Sequence, residues 1–210
     1  KYAQHTDRDD KPIEVIQPAD VPQNMPFLLA LSKDTPYIFS FDRQDKVEEG
    51  VMVSYTARSG DWRLTKSFLF HDDIYRIDVT LGFTALTSNP EPLNPRFFVP
   101  VPEMAQLQRD KYNGVISNTD RTGLQQTSGA KAVEQAWVMP TLFGSENSYF
   151  AHVLLDDTRA FAQRGYFRSQ NDMTAILEGP EVTESVSFPL SFYVGPKSLP
   201  ALQAVDGRLE

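Results

Sequence analysis

Apolar and polar residues alternate one for one along much of this chain. Tyr75, Ile77, Val79, Leu81 and Phe83 alternate with Arg76, Asp78, Thr80 and Gly82. Successive side chains of a strand point to opposite faces, so this run presents one apolar and one mostly polar face. Trp62, Leu64, Phe68 and Phe70 repeat the pattern with Lys66 as the polar break, and Val51, Val53 and Tyr55 form a shorter version. Val182, Val186, Phe188, Leu190, Phe192 and Val194 form a long one against Thr183, Ser185, Ser187 and Ser191. A helix would scatter these residues around its axis, whereas a strand gathers them against one core. Pro189 interrupts the last run and cannot donate to a ladder, which predicts an edge or a bulge there.

Turn residues separate the runs. Arg58-Ser59-Gly60-Asp61 and His71-Asp72-Asp73 join Val51–Ala57, Trp62–Phe70 and Ile74–Phe83 into an antiparallel meander. Weaker strand patterns fall at Ile13–Gln17, Phe27–Leu31, Tyr37–Phe41, Ala136–Met139, Ser148–Leu155, Arg164–Arg168 and Met173–Leu177. Pro90, Pro92, Pro95, Pro100 and Pro102 make residues 86–102 a stiff crossover. Residues 117–131, rich in Ser, Thr, Gly and Gln, read as a mobile polar loop. Met104–Lys111 reads as a short helix. A second helix is predicted at the end, with Ser198 as its cap, Leu199, Leu202 and Val205 as its apolar stripe and Gly207 as its stop. The chain thus divides into a poorly patterned segment 1–26, an all-β sandwich over 27–197 and a helical tail over 198–210.

Composition narrows the classes. With 210 residues, 40% of them hydrophobic, the chain is long enough to bury a large core in one domain. Its 28 acidic residues outnumber 20 basic ones. An acidic surface repels phosphate backbones and anionic lipid, which argues against a nucleic-acid partner and a lipid-docking patch. The absence of cysteine excludes disulfides, thiolate metal sites and a Cys nucleophile. No apolar run reaches the length of a membrane span. The start at Lys1, without Met or a signal peptide, reads as an excised fragment.

Little in the sequence points to catalysis. The three histidines are His5, His71 and His152. His71 sits by Asp72 and Asp73 where a solvated turn is predicted, His152 on the polar side of a strand, and His5 in the unpatterned N-terminus. No His-x-His or His-Glu-x-x-His spacing supports a metal. Asp156-Asp157 before Thr158-Arg159 reads as a turn, without the spaced acids and central Gly of a calcium loop. There is no nucleophile elbow, phosphate loop or dinucleotide fingerprint. Trp62, Trp137, Tyr149, Phe150 and Tyr193 fit a sandwich core better than a sugar or peptide groove. No catalytic, cofactor or metal residue is assigned.

Three stretches together resemble a known family, the large periplasmic domain of the YidC membrane-protein insertases. They are Thr65-Lys66-Ser67-Phe68-Leu69-Phe70 with its turn and Tyr75-Arg76-Ile77-Asp78-Val79; Trp137 with Tyr149-Phe150, similar to a strand pair of the family; and Phe192-Tyr193-Val194-Gly195-Pro196-Lys197 before the final helix. The resemblance covers roughly residues 50–210. Residues 1–26 lack the strand pair with which the family opens, so those strands are missing or diverged.

The resemblance implies a β-supersandwich of two stacked antiparallel sheets with a short C-terminal helix, on the periplasmic side of a bacterial inner membrane. It implies a non-enzymatic accessory module, monomeric in isolation and without cofactors. Its contacts would be with Sec translocon components or membrane-protein clients. Leu199, Leu202 and Val205 would pack on the sandwich and hold its orientation above the bilayer. Two other readings remain open at this stage: a carbohydrate-binding or mutarotase-like sandwich, and a scaffold whose edge strands pair with a partner.

Overall fold

A computed structural model of the chain describes residues 2–6, 12–13, 26–31, 38–102, 114–132, 135–169 and 173–209. Two antiparallel sheets dominate, as the period-two pattern requires. The meander is β5 (Gly50–Ser59), β6 (Trp62–His71) and β7 (Arg76–Ala85), with β4 (Ser40–Val47) paired outside β5. Ser59 pairs with Trp62, so the turn is Gly60-Asp61, and Gly60 takes the left-handed φ of +52° that a side chain disfavours.

The meander continues through β16 (Val186–Pro196), β13 (Phe150–Leu155), β12 (Leu142–Glu146), β9 (Gly114–Thr119) and β10 (Gly123–Ser128), in the order β10-β9-β12-β13-β16-β7-β6-β5-β4. The second sheet has the order β11-β14-β15-β8-β3, formed by Ala136–Val138, Arg164–Ser169, Met173–Glu178, Arg96–Val99 and Leu29–Ala30. The main core lies between them: Trp62, Val79, Leu81, Phe143, Leu154 and Phe192 from the large sheet meet Leu29, Phe97, Trp137, Phe167 and Leu177 from the small one.

Several expectations are corrected. Residues 1–26 contain a small strand pair, β1 (Tyr2–Thr6) with β2 (Pro12–Ile13). The proline-rich crossover holds β8, whose four residues fit between Pro95 and Pro100 and pair with both β15 and β3. The expected polar loop 117–131 is largely the β9–β10 hairpin followed by the single turn α1 (Gly129–Ala132). The stretch Met104–Lys111 lies outside the described residues. Trp137 and Phe150 belong to different sheets rather than to a strand pair.

Pro189 lies within β16, a strand with neighbours on both sides. It pairs with Thr80 of β7, while β13 pairs with β16 only from Ser191 onward. The strand is therefore an edge at Pro189 on its β13 side, where a missing N–H leaves no ladder bond unmade.

The tail forms α2 (Leu199–Gln203) and then a 3-10 turn over Gly207–Leu209. Ser198 occupies the cap position without a side-chain cap bond, and Pro200 stands in the first turn, where its missing N–H costs nothing. The helix ends at Ala204, before Gly207, which opens the 3-10 turn instead of stopping the helix.

Candidate interaction surfaces

His71 and His152 do not converge. His71 ends β6 on the outer face of the large sheet, where its Nε2 lies 2.8 Å from Asp78 Oδ2. Asp78 also accepts from Arg76 Nε at 2.8 Å and from the Ser191 hydroxyl at 2.5 Å. The hydrogen bonds from Ser191, His71 and Arg76 outweigh desolvation and hold the Asp78 carboxyl below the usual range. His71 is thus ordered on a strand, not loose in a turn. The carboxylate sits between the imidazole and the hydroxyl, so the histidine has no contact through which to activate Ser191. The cluster ties β6, β7 and β16 together.

His152 is on the opposite, inner face of that sheet and is fully buried, contrary to the half-exposed position its strand pattern predicts. Register places it across from Ser145 and Val194. Neither ring nitrogen makes a hydrogen bond of good geometry, although the Val101 and Pro100 carbonyls stand near the ring, and the hydroxyls of Ser117 and Ser145 on the same face are unpaired. Burial pushes the imidazole pKa down to about 3 against a weaker opposing pull from the Val101 and Pro100 carbonyls, so the ring is neutral. Asp156 forms the expected turn, its Oδ1 accepting from the Thr158 and Arg159 N–H groups and the Thr158 hydroxyl. Among the described residues no group of three or more His, Asp or Glu is placed to hold a metal ion.

The C-terminal tail covers part of the outer face. Leu202, Val205 and Leu209 pack on Ile116, Leu142, Ala151, Val153 and Tyr193. Leu199, predicted on the same stripe, is 54% exposed and stands outside this cluster. A helix of five residues spans little more than one turn, so the stripe continues into the 3-10 segment rather than back to Leu199. Arg208 fastens the end, with bonds to Asp157 Oδ1 at 2.7 Å and to Asp206. The side-chain bond with Arg208 is the main reason the Asp206 carboxyl lies below its ordinary range.

The Tyr-Val-Gly-Pro-Lys stretch is the joint beneath this tail. Tyr193 is buried and donates its hydroxyl to the Pro196 carbonyl. Gly195 lies under Tyr75, and Lys197 Nζ reaches the nearly buried Glu146 carboxylate at 2.7 Å. Of the five aromatics assigned to the core, Trp62 and Trp137 are there; Tyr193 is buried on the outer face under the tail, Tyr149 is exposed and Phe150 intermediate.

A second surface was not foreseen. Register sets Phe41, Tyr55, Lys66 and Leu81 in one row across β4 to β7. Leu81 is core, so the whole row faces inward. Phe68 and Phe70 lie on the same side. Ring contacts run outward from Phe27 to Phe68 at 5.3 Å, on to Tyr55 at 6.0 Å and to Phe41 at 6.1 Å, with Phe70 stacked on Phe68 at 5.9 Å. The run starts in the core and ends in solvent: Phe41 is 61% exposed, Phe70 41% and nearby Ile38 89%. Lys66 sits beneath it, its ammonium over the Phe39 ring and bonded to the Phe27 carbonyl at 2.8 Å. Burial lowers its pKa to about 8.

Comparison with known proteins supplies the family. No curated protein matches the chain. Among solved structures, one described as an aldose 1-epimerase from Escherichia coli K12 is similar at 10% identity and a TM-score of 0.44, covering 77% of this chain and 69% of that one. The α-galactosidase AgaA of Geobacillus stearothermophilus is similar at 11% identity and a TM-score of 0.47, over 95% of this chain and 35% of its own. The family model for the YidC periplasmic domain matches residues 1–210, in agreement with the three stretches that carry the resemblance. The chain belongs to the YidC periplasmic domain family.

Proposed function

We propose that this domain is the periplasmic accessory module of a bacterial inner-membrane protein insertase, acting through contacts with other proteins and not by turning over a substrate. The observation that carries the reading is the family match over residues 1–210. The surface chemistry supports it. The histidine that contacts a carboxylate does so inside a saturated cross-strand cluster, and the other buried histidine is neutral and faces the core. Sec translocon components and membrane-protein clients are the partners this reading names. The tail holds Leu202 against the outer sheet face and Arg208 against Asp157.

Photo-crosslinking residues placed at exposed positions on both sheets of the full-length parent, in membranes that are actively inserting proteins, test this. Adducts with Sec components or with chains under insertion are expected. Adducts with neither, at every position, would overturn the proposal.

A further inference from the structure

We infer that the aromatic overhang of β4–β6 is a docking face for an apolar polypeptide segment flanked by Lys or Arg. This inference rests on the interaction role proposed above and names the chemistry of the partner.

The strands of the overhang are amphipathic in a way their surroundings leave incomplete. Their outer side carries hydroxyls, with Ser54 and Ser67 bonded at 2.9 Å and Thr56 bonded to the Leu64 carbonyl. Their inner side carries Tyr55, Phe68, Phe70 and Phe41, the same side that is core further along the sheet. An apolar patch continuous with the core and open to water is a marker of a binding surface.

Charge selects the occupant. The turns Glu48-Glu49 and Asp72-Asp73 lie side by side, joined by the Asp72 N–H to the Glu49 carbonyl at 3.2 Å. All four carboxylates are exposed, and among the described residues none is in an ion pair. They adjoin Phe70, since Val51 pairs with Phe70 and Gly50 with His71. Lys46 is the single cation on this side of β4. A segment with its apolar residues on Phe41, Tyr55 and Phe70 therefore brings its flank against an acidic rim, which favours Lys or Arg there.

The same features disfavour other occupants. The β4 edge has a register shift between Phe41 and Arg43 and carries Asp42, Arg43, Asp45 and Lys46, devices that keep edge strands from pairing with a second copy. An anionic membrane surface would be repelled by the rim.

The test uses two synthetic peptides with one Leu/Phe core, one flanked by Lys-Arg and the other by Asp-Glu, titrated into this chain and followed by amide NMR shifts. The Lys-Arg peptide should perturb β4–β6. Its Kd should weaken at least fivefold in Phe41→Ser/Phe70→Ser and at least fivefold in Glu48→Lys/Asp72→Lys, whose turn positions keep the experiment readable if the first pair does not fold. The Asp-Glu peptide should bind at least tenfold more weakly. Equal binding of the two peptides, shifts confined to other strands, or indifference to both variants would overturn the inference. So would self-association, or binding to anionic vesicles, that these variants abolish. If the peptides fail while cross-links from other faces of the full-length parent still capture inserting chains, the docking face falls and the proposed function stands.

Discussion

Gly195 lies directly beneath Tyr75: a Cβ at position 195 would come within 2.5 Å of the Tyr75 Cβ. The Val194 N–H bonds to the Tyr75 carbonyl at 3.0 Å, so the two strands have no slack to move apart there. Gly195→Ala should cost roughly 1–3 kcal/mol through overpacking. Urea unfolding checks this; an unchanged midpoint would show that Tyr75 moves aside freely.

The meander was legible because it is long, alternates over most of its length and turns at Gly60. Strands β8 and β12 were not, for physical reasons. Phe97 and Phe98 are both buried, since β8 is covered on both faces. Every residue of β12 is buried, with the small sheet on one side and the cluster under the tail on the other. A strand buried on both faces loses the alternation that identifies it. His152 misleads in the same way, because its polar side implied solvent where a second sheet stands. The aromatic overhang depends on nine strands facing five, a relationship between sheets that no local pattern encodes.

Leu202 and Leu199 separate the packed part of the tail from the unpacked part. Leu202→Asp places a charge against Ile116, Leu142 and Val153 and should cost about 1–3 kcal/mol, a fall in Tm of several degrees for a chain of this size. Leu199→Asp, at an exposed position, should stay within about 0.5 kcal/mol. Equal thermal shifts for the two would refute the assignment of the stripe to Leu202, Val205 and Leu209.

His152 should make the domain sensitive to acid. Its pKa is depressed from 6.5 to about 3 by burial, so between these values the unfolded chain binds a proton that the folded one refuses. The contribution is nil above pH 6.5, and stability falls with pH below it at about 1.4 kcal/mol per unit. From pH 6.5 to 5 this group alone removes about 2 kcal/mol. His152→Leu, which keeps an apolar side chain between the sheets, should lose less stability than the natural chain over that interval. Parallel pH dependences in denaturant titrations would count against a buried neutral imidazole.

Lys66 titrates in the opposite range and has the same sign. Its folded pKa is lowered from 10.5 to about 8, chiefly by burial, so the folded state gives up its proton first as pH rises. Folding is penalised fully below pH 8, and the penalty is relieved by about 1.4 kcal/mol per unit up to pH 10.5. The bond to the Phe27 carbonyl and the ring faces of Phe39 and Phe68 offset part of the cost at neutral pH. Lys66→Met removes the titrating group while filling the same space. The natural chain should therefore gain stability relative to Lys66→Met between pH 8 and 10. A difference between the two that stays flat across that range would show that the ammonium reaches water, and that the base of the aromatic overhang is wetter than its packing implies.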